Sequence, residues 1–482
     1  MSSRQTSGER YRGLSPRVHG LDANAVARHQ RARLRAAMVE LVVQRGYHAI
    51  RVSDLIRLAH VSRPTFYALY RDKEACFLDA YDETSRRVTR TIVDAHRHSR
   101  DGDGPVRAGM GAFLELAAAE PDATAFFVYG GLGGGARGLE RYNKAFVALM
   151  RRLRSGGAKS AGTGPNGARR ASAAARGAAN GAAPAPPVDD LTIRAVLGGV
   201  REVVAIRLRR GEAEGLPGLA DDLTAWALSY PPTAPAILAA GAPRAVAPPS
   251  TEELRPWRPT SPRERFARLP SGRHDLTREY IEYSQRERIL DALADIVAEK
   301  GYPGLTVTEI ARRANVSNKT FYEHFPGKRE AYLAAGRTGG EWGFQAAVEA
   351  YAAHAGDWPR AVAAGLEAYL RYLAVEPGHA RLGFVDIFTA DPEVLQLRDE
   401  TVGAFVAYLD PGFELVGARR HVPRIAPDAI GGAIWELLQD HIQHQPIERL
   451  PERAPQVVYL ALTPFLGASR AAQVAVGEAA AA

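Results

Sequence analysis

A ten-residue stretch occurs twice in this chain, and the repetition limits the fold more than any other feature. Val61–Tyr70 reads V-S-R-P-T-F-Y-A-L-Y and Val316–Phe325 reads V-S-N-K-T-F-Y-E-H-F. The two lie 255 residues apart, and the register runs without a gap from His19/His274 to Leu78/Leu333. Gln30/Gln285, Arg31/Arg286, Arg33/Arg288, Gly46/Gly301, Tyr47/Tyr302, Val52/Val307, Ala59/Ala314 and Lys73/Lys328 are identical along it. Self-similarity over this length marks a duplicated structural unit.

Each copy predicts three helices. Leu34, Ala37, Met38, Leu41 and Val42 recur at helical spacing, as do Ile289, Ala292, Leu293, Ile296 and Val297. Gly46 and Gly301 stop that helix, because glycine accepts the left-handed conformation a helix end requires. A short second helix is expected over Ser53–Ala59 and Val307–Ala314. Thr306 and Glu309 have the spacing of a reciprocal capping box, which Arg51 removes from the first copy, so a weaker helix start is expected there. His60 and Asn315 follow, both types that tolerate positive φ, and Ser62 and Ser317 then cap a third helix. Helix, tight turn, helix is the arrangement that lays a second helix in the major groove of DNA. On that helix Phe66, Tyr70, Phe321 and Phe325 share a buried face. Arg63, Thr65, Tyr67, Asn318, Lys319, Thr320, Tyr322 and His324 remain free to meet nucleic acid.

V-S-x-x-T-F-Y-x-x-F/Y followed by Lys resembles the signature of the TetR family of bacterial transcriptional regulators. The second copy, V-S-N-K-T-F-Y-E-H-F-P-G-K-R-E, is the closer match; the first has Leu69 at the position of His324 and Arg71-Asp72 at Pro326-Gly327. The resemblance implies phosphate contacts from Thr320, Tyr322, His324 and Lys328, and from Thr65, Tyr67 and Lys73, with base reading by the residues that open each third helix. Ser62, Arg63, Ser317, Asn318 and Lys319 complete the expected DNA-binding set. It also implies an all-α fold. Each unit is then a helix-turn-helix domain followed by a helical regulatory domain whose last two helices pair with a partner.

Charge is distributed in keeping with this. The net charge is +8, yet residues 1–100 alone hold 19 Lys/Arg against 10 Asp/Glu, so the rest is near neutral. A basic end on a neutral body suits docking on phosphate. The single cysteine, Cys76, rules out an internal disulfide, and Met1–Arg10 has no apolar signal core, so the cytoplasm is the expected compartment. No run approaches a membrane helix.

The 482 residues then divide in order. Residues 1–16 are expected to be disordered, 17–78 form the first helix-turn-helix domain, and 79–230 the first helical body, with 155–187 as a disordered Ala/Gly/Pro/Ser insert. A proline-rich linker covers 231–270. The second DNA-binding domain covers 271–333, the second body 334–468 and a small-residue tail 469–482. Basic arms at Arg17–Leu21 and Arg273–Leu276 precede the two motifs.

Other chemistry is poorly supported. Gly130–Gly138 lacks both the preceding strand and the Lys-Ser/Thr ending of a phosphate loop, and reads as a flexible connection. His441 and His444 stand at i and i+3 without a third ligand and read as ordinary surface histidines. No catalytic constellation, metal site or cofactor is expected. The resemblance does imply an effector cavity, for which Trp342, Phe344, Trp358, Tyr369, Phe384, Phe388, Phe405 and Trp435 supply aromatic candidates in the second copy. Phe113, Phe126, Phe127, Tyr129 and Phe146 do so in the first. The expected protein is a sequence-specific DNA-binding regulator, a repressor released by a small-molecule effector. Its halves pair within one chain as a pseudo-dimer on an asymmetric operator, and a further homodimer of chains stays open. The alternative keeps only the second motif on DNA, with the first unit as a structural partner.

Overall fold

A computed structural model describes residues 23–99, 104–159, 190–231, 276–385, 392–416 and 420–477. The expected N-terminal disorder, both basic arms up to Asp275, most of the insert, the linker beyond Pro231, Phe388 and the last five residues lie outside these. The described residues are helical throughout, with no strand among them, as expected of an all-α chain. The chain divides into two compact units, one of residues 1–184 and 203–224, the other of 185–202 and 225–482.

In the first unit α1 (Ala23–Arg45), α2 (Val52–Leu58) and α3 (Arg63–Leu69) form the first triplet. Leu34, Ala37 and Met38 are fully buried, which confirms the apolar face read from their spacing. Four further helices follow: α4 (Lys73–His98), α5 (Gly104–Ala119), α6 (Pro121–Ala125) and α7 (Gly135–Lys159). Between α6 and α7 the chain makes a π-helical turn, Phe126–Gly130. The glycines after it are packing residues rather than the flexible connection expected. A Cβ on Gly131 would stand 2.5 Å from the Tyr81 ring, and one on Gly134 would collide with Phe77. α7 also runs into the expected insert, through Gly156 and Gly157 to Lys159. Helical glycines cost only about 1 kcal/mol each relative to alanine, so they weaken a helix without ending it. The next two helices, α8 (Asp190–Arg209) and α9 (Ala220–Leu228), have residues in both units.

The second unit opens its triplet with α10 (Arg278–Lys300), α11 (Val307–Arg313) and α12 (Asn318–His324). Its body is α13 (Lys328–Ala352), α14 (Trp358–Val375), α15 (Pro377–Phe384), α16 (Pro392–Val406), α17 (Pro411–Val416), α18 (Ala426–His444), α19 (Ala454–Leu466) and α20 (Ala468–Ala475). α20 falls where a small-residue tail was expected. Alanine is the best helix former, and Ala471, Ala472 and Ala475 are small enough to bury on one face. His441 on α18 is only 4% exposed, not the surface residue expected. Its Nε2 lies 2.9 Å from the Pro446 carbonyl, and Arg453 Nε donates to its Nδ1 at 3.2 Å. No cluster of metal-ligand type occurs among the described residues.

α8 contributes its first thirteen residues to this second unit. There it crosses α18 at a glycine pair. A Cβ on Gly198 would collide with Glu436, and one on Gly432 would collide with Glu202. Each glycine thus receives the side chain that stands four residues beyond the other, so the contact has approximate two-fold character. The crossing buries charge. Arg201 donates to Glu436 at 2.7 Å, and beside the crossing Arg398 of α16 grips Glu202 with two bonds of 2.5 Å. Tyr230 donates to the Leu460 carbonyl at 2.9 Å, also within this unit.

Candidate nucleic-acid interface

The two triplets are built alike, each within its own unit. Each second helix ends in a Schellman turn. Val61 N–H reaches Ile56 O and Val316 N–H reaches Ala311 O, at 3.1 and 3.0 Å. The residue between helix and turn takes positive φ, 49° at His60 and 56° at Asn315. Imidazole and carboxamide side chains tolerate that conformation, and Arg33 adds a bond of 3.4 Å to the His60 carbonyl.

The second helices start differently from expectation. Thr306 accepts from the Glu309 amide at 3.2 Å, but the Glu309 carboxylate turns to Lys300 at 2.5 Å, so the second copy keeps half a capping box. The first copy, expected to lose the box, keeps the other half: Asp54 accepts from the Arg51 amide at 2.9 Å. Arginine has no acceptor to offer in return.

The third helices present the candidate residues. Ser62 and Ser317 cap them, accepting from Thr65 N–H at 3.2 Å and Thr320 N–H at 2.9 Å. Each cap hydroxyl also shares a bond with the threonine hydroxyl, 2.8 Å in one copy and 2.9 Å in the other. Phe66 and Phe321 are fully buried beneath, edge-on to Tyr67 and Tyr322. Those tyrosines stay outside, 48% and 57% exposed, although an aromatic ring normally favours burial. Arg63, Asn318 and Lys319 are exposed at the helix starts, Arg63 lying 5.9 Å from the Tyr67 ring and Lys319 3.6 Å from Glu323. Leu69 is half-buried.

His324 is half-buried, with Nε2 3.2 Å from Gln285 Oε1. Burial pushes its imidazole below the ordinary value. Gln285 thus ties the first helix of its triplet to the third, a role the repeat match alone did not suggest. Lys73 and Lys328 occupy the start of the fourth helix in each copy. The Lys73 ammonium donates to the Tyr47 and Ile50 carbonyls at 2.9 and 2.8 Å and lies 4.2 Å from the Tyr47 ring. The Lys328 ammonium donates to Leu305 O at 3.1 Å and lies 4.9 Å from the Tyr302 ring. Both lysines therefore clamp the loop ahead of the second helix. Burial lowers the Lys73 pKa.

In the second body an apolar cavity lies among α13, α14, α16 and α18. Of the aromatic candidates, Phe344, Tyr369, Phe384, Phe405 and Trp435 line it. Trp342 instead meets His379, and Trp358 packs on Phe465. No described helix is long and apolar enough to cross a membrane.

The model for bacterial regulatory proteins of the tetR family matches residues 34–80 and again 289–335. Over 46 residues the chain is 41% identical to the uncharacterized HTH-type transcriptional regulator YxbF of Bacillus subtilis, covering 9% of this chain and 12% of that protein. Over 49 residues it is 41% identical to the uncharacterized HTH-type transcriptional regulator TtgW of Pseudomonas putida, covering 10% and 37%. The chain therefore spans well under half the length of either relative. Among solved structures it resembles a transcriptional regulator, FadR from Bacillus subtilis in complex with stearoyl-CoA, at 14% identity and a TM-score of 0.33, over 41% of this chain and 97% of that one. Two matches in one register, each on a triplet with the same caps and turn, show that this chain carries two helix-turn-helix domains of the tetR family type.

Proposed function

We propose that this chain is a transcriptional repressor that binds duplex DNA through both helix-turn-helix motifs and releases it on binding a small molecule. One observation carries the reading: in both copies an exposed tyrosine stands on a short helix whose serine cap and threonine hydroxyl are already paired. About half of each ring is left to solvent, with its edge contact to Phe66 or Phe321 on the other side. Tyr67, Tyr322, Thr65 and Thr320 are assigned to phosphate oxygens, with His324 beside them in the second copy. Arg63 suits guanine and Asn318 adenine by donor and acceptor pattern, with Lys319 alongside, so the operator is asymmetric. Lys73 and Lys328 act by holding the loop that aims the reading helix. The first thirteen residues of α8, seated in the second unit, support a pseudo-dimer formed within one chain.

Fluorescence anisotropy on random duplex DNA tests the reading. The chain is expected to bind at low salt, and Tyr67→Ala and Tyr322→Ala are each expected to weaken binding. If only Tyr322→Ala does so, the first motif is a structural partner; if neither does, the assignment is wrong.

A further inference from the structure

Two neighbouring chambers of the second body share part of their lining. The larger, about 100 Å³, has Phe344, Phe405 and Tyr369 in its wall; the smaller, about 50 Å³, shares Tyr369, Phe384, Thr401 and Trp435 with it. Together they match an engineered apolar cavity of about 150 Å³ that admits benzene. The smaller chamber also holds polar groups. His379 is 5% exposed and Trp435 6% exposed. Neither ring nitrogen of His379 nor the Trp435 indole nitrogen has a hydrogen-bond partner among the described residues. Buried polar groups are nearly always satisfied, so these nitrogens mark a place for a ligand atom.

Charge decides what kind of atom. Arg398 also lines the smaller chamber, but it is already bidentate to Glu202 and lies 3.2 Å from Asp399. Glu376 lies 3.5 Å from His379 Nδ1. A carboxylate head would find the guanidinium already engaged by Glu202 and His379 facing Glu376, and a buried charge without a counter-ion is costly. A cationic head would face Arg398. The indole N–H is a donor only, so the ligand must offer an acceptor.

We propose that the two chambers hold one small uncharged aromatic molecule bearing a single hydroxyl or carbonyl oxygen, its ring in the larger chamber and its oxygen on the Trp435 indole N–H. This rests on the effector reading above and names the class of ligand. The glycine face of α13 makes the room. A Cβ on Gly340 meets only the Thr401 side chain, at 3.8 Å, so larger side chains there fill the chamber without disturbing backbone.

The test is calorimetric titration of the full chain with benzyl alcohol, toluene and benzoate. Benzyl alcohol is expected to bind about 2–13-fold more tightly than toluene, the worth of one net hydrogen bond, and benzoate not at all. Trp435→Phe is expected to bring benzyl alcohol to the toluene level while leaving toluene unchanged. Gly340→Leu is expected to abolish binding of both, and the milder Gly340→Ala to weaken it. Benzoate binding as tightly as benzyl alcohol overturns the proposal. So does unaltered binding in both Gly340 variants, or no binding by any of the three. Benzyl alcohol that binds without releasing DNA leaves the ligand class standing and removes the effector reading. Release of DNA by a compound of another class, with none of the three bound, does the reverse.

Discussion

Removing one member of the buried pair Glu202–Arg398, which ties α8 to α16 beside the Trp435 ring of α18, tests the seating of α8 most sharply. The Arg398 side chain is 1% exposed and that of Glu202 3%. Two bonds of 2.5 Å join them, and the guanidinium lies 4.1 Å from the Trp435 ring. Glu202→Leu leaves the arginine buried without its main counter-ion, a change that costs about 3–5 kcal/mol in comparable cases. Asp399 at 3.2 Å keeps part of the compensation, which places the cost near the lower end, about 3 kcal/mol. That is a fall of roughly 5 °C in the melting temperature of a unit this large. Adding Arg398→Leu removes the stranded charge, so the double variant is expected to recover most of the loss. The assay is thermal unfolding followed by tryptophan fluorescence, for which Trp435 is a local reporter. A single variant that loses less than about 1 kcal/mol, well short of the cost of a stranded buried charge, would refute a dry, mutually compensated pair. So would a double variant no better than the single.

Further outcomes follow from the same geometry. Ser317→Ala and Ser62→Ala each remove a cap and are expected to cost about 1 kcal/mol in urea unfolding; equal stability would mean that the threonine hydroxyl replaces the cap. Asn318→Ala and Arg63→Ala are expected to change the preferred sequence by about 1–3 kcal/mol per contact in competition binding, whereas uniform weakening would assign them to phosphate. Lys328→Met is expected to leave the slope of log K against log salt nearly unchanged while lowering stability; a slope reduced by about 0.9 would return the ammonium to phosphate. Burial holds His324 and His441 below the ordinary imidazole value of 6.5. The unfolded chain therefore takes up these protons first, so stability is full above 6.5 and falls as pH drops through 6.5 toward the lowered folded values. His441→Gln is expected to lose melting temperature less steeply than the parent chain on acidification through that window, and an equal or steeper loss would contradict the sign.

The helical pattern was legible wherever apolar spacing or a cap announced it. Leu34, Met38 and Phe321 are buried as their spacing required, and Ser62 and Ser317 cap the helices they precede. Local rules failed where glycine and alanine signals are ambiguous. Gly131 and Gly134 looked like slack and are instead close approaches to Tyr81 and Phe77; alanines after Gly467 looked like a tail and are a packed helix. The sequence also left the lysines underdetermined. Lys73 and Lys328 sit where a phosphate contact was implied, but the carbonyls they bind, 23–26 residues earlier, lie in a loop with no motif of its own. The pair Glu202–Arg398 spans 196 residues, and no spacing rule connects such positions.

Selection of bound sites from a random duplex pool, using the full chain, tests the central claim most directly. If both reading helices act together, the enriched site has two dissimilar halves about one helical turn apart, roughly 34–36 Å between centres. Enrichment of a lone half-site, of a perfect palindrome, or of no sequence at all would contradict it.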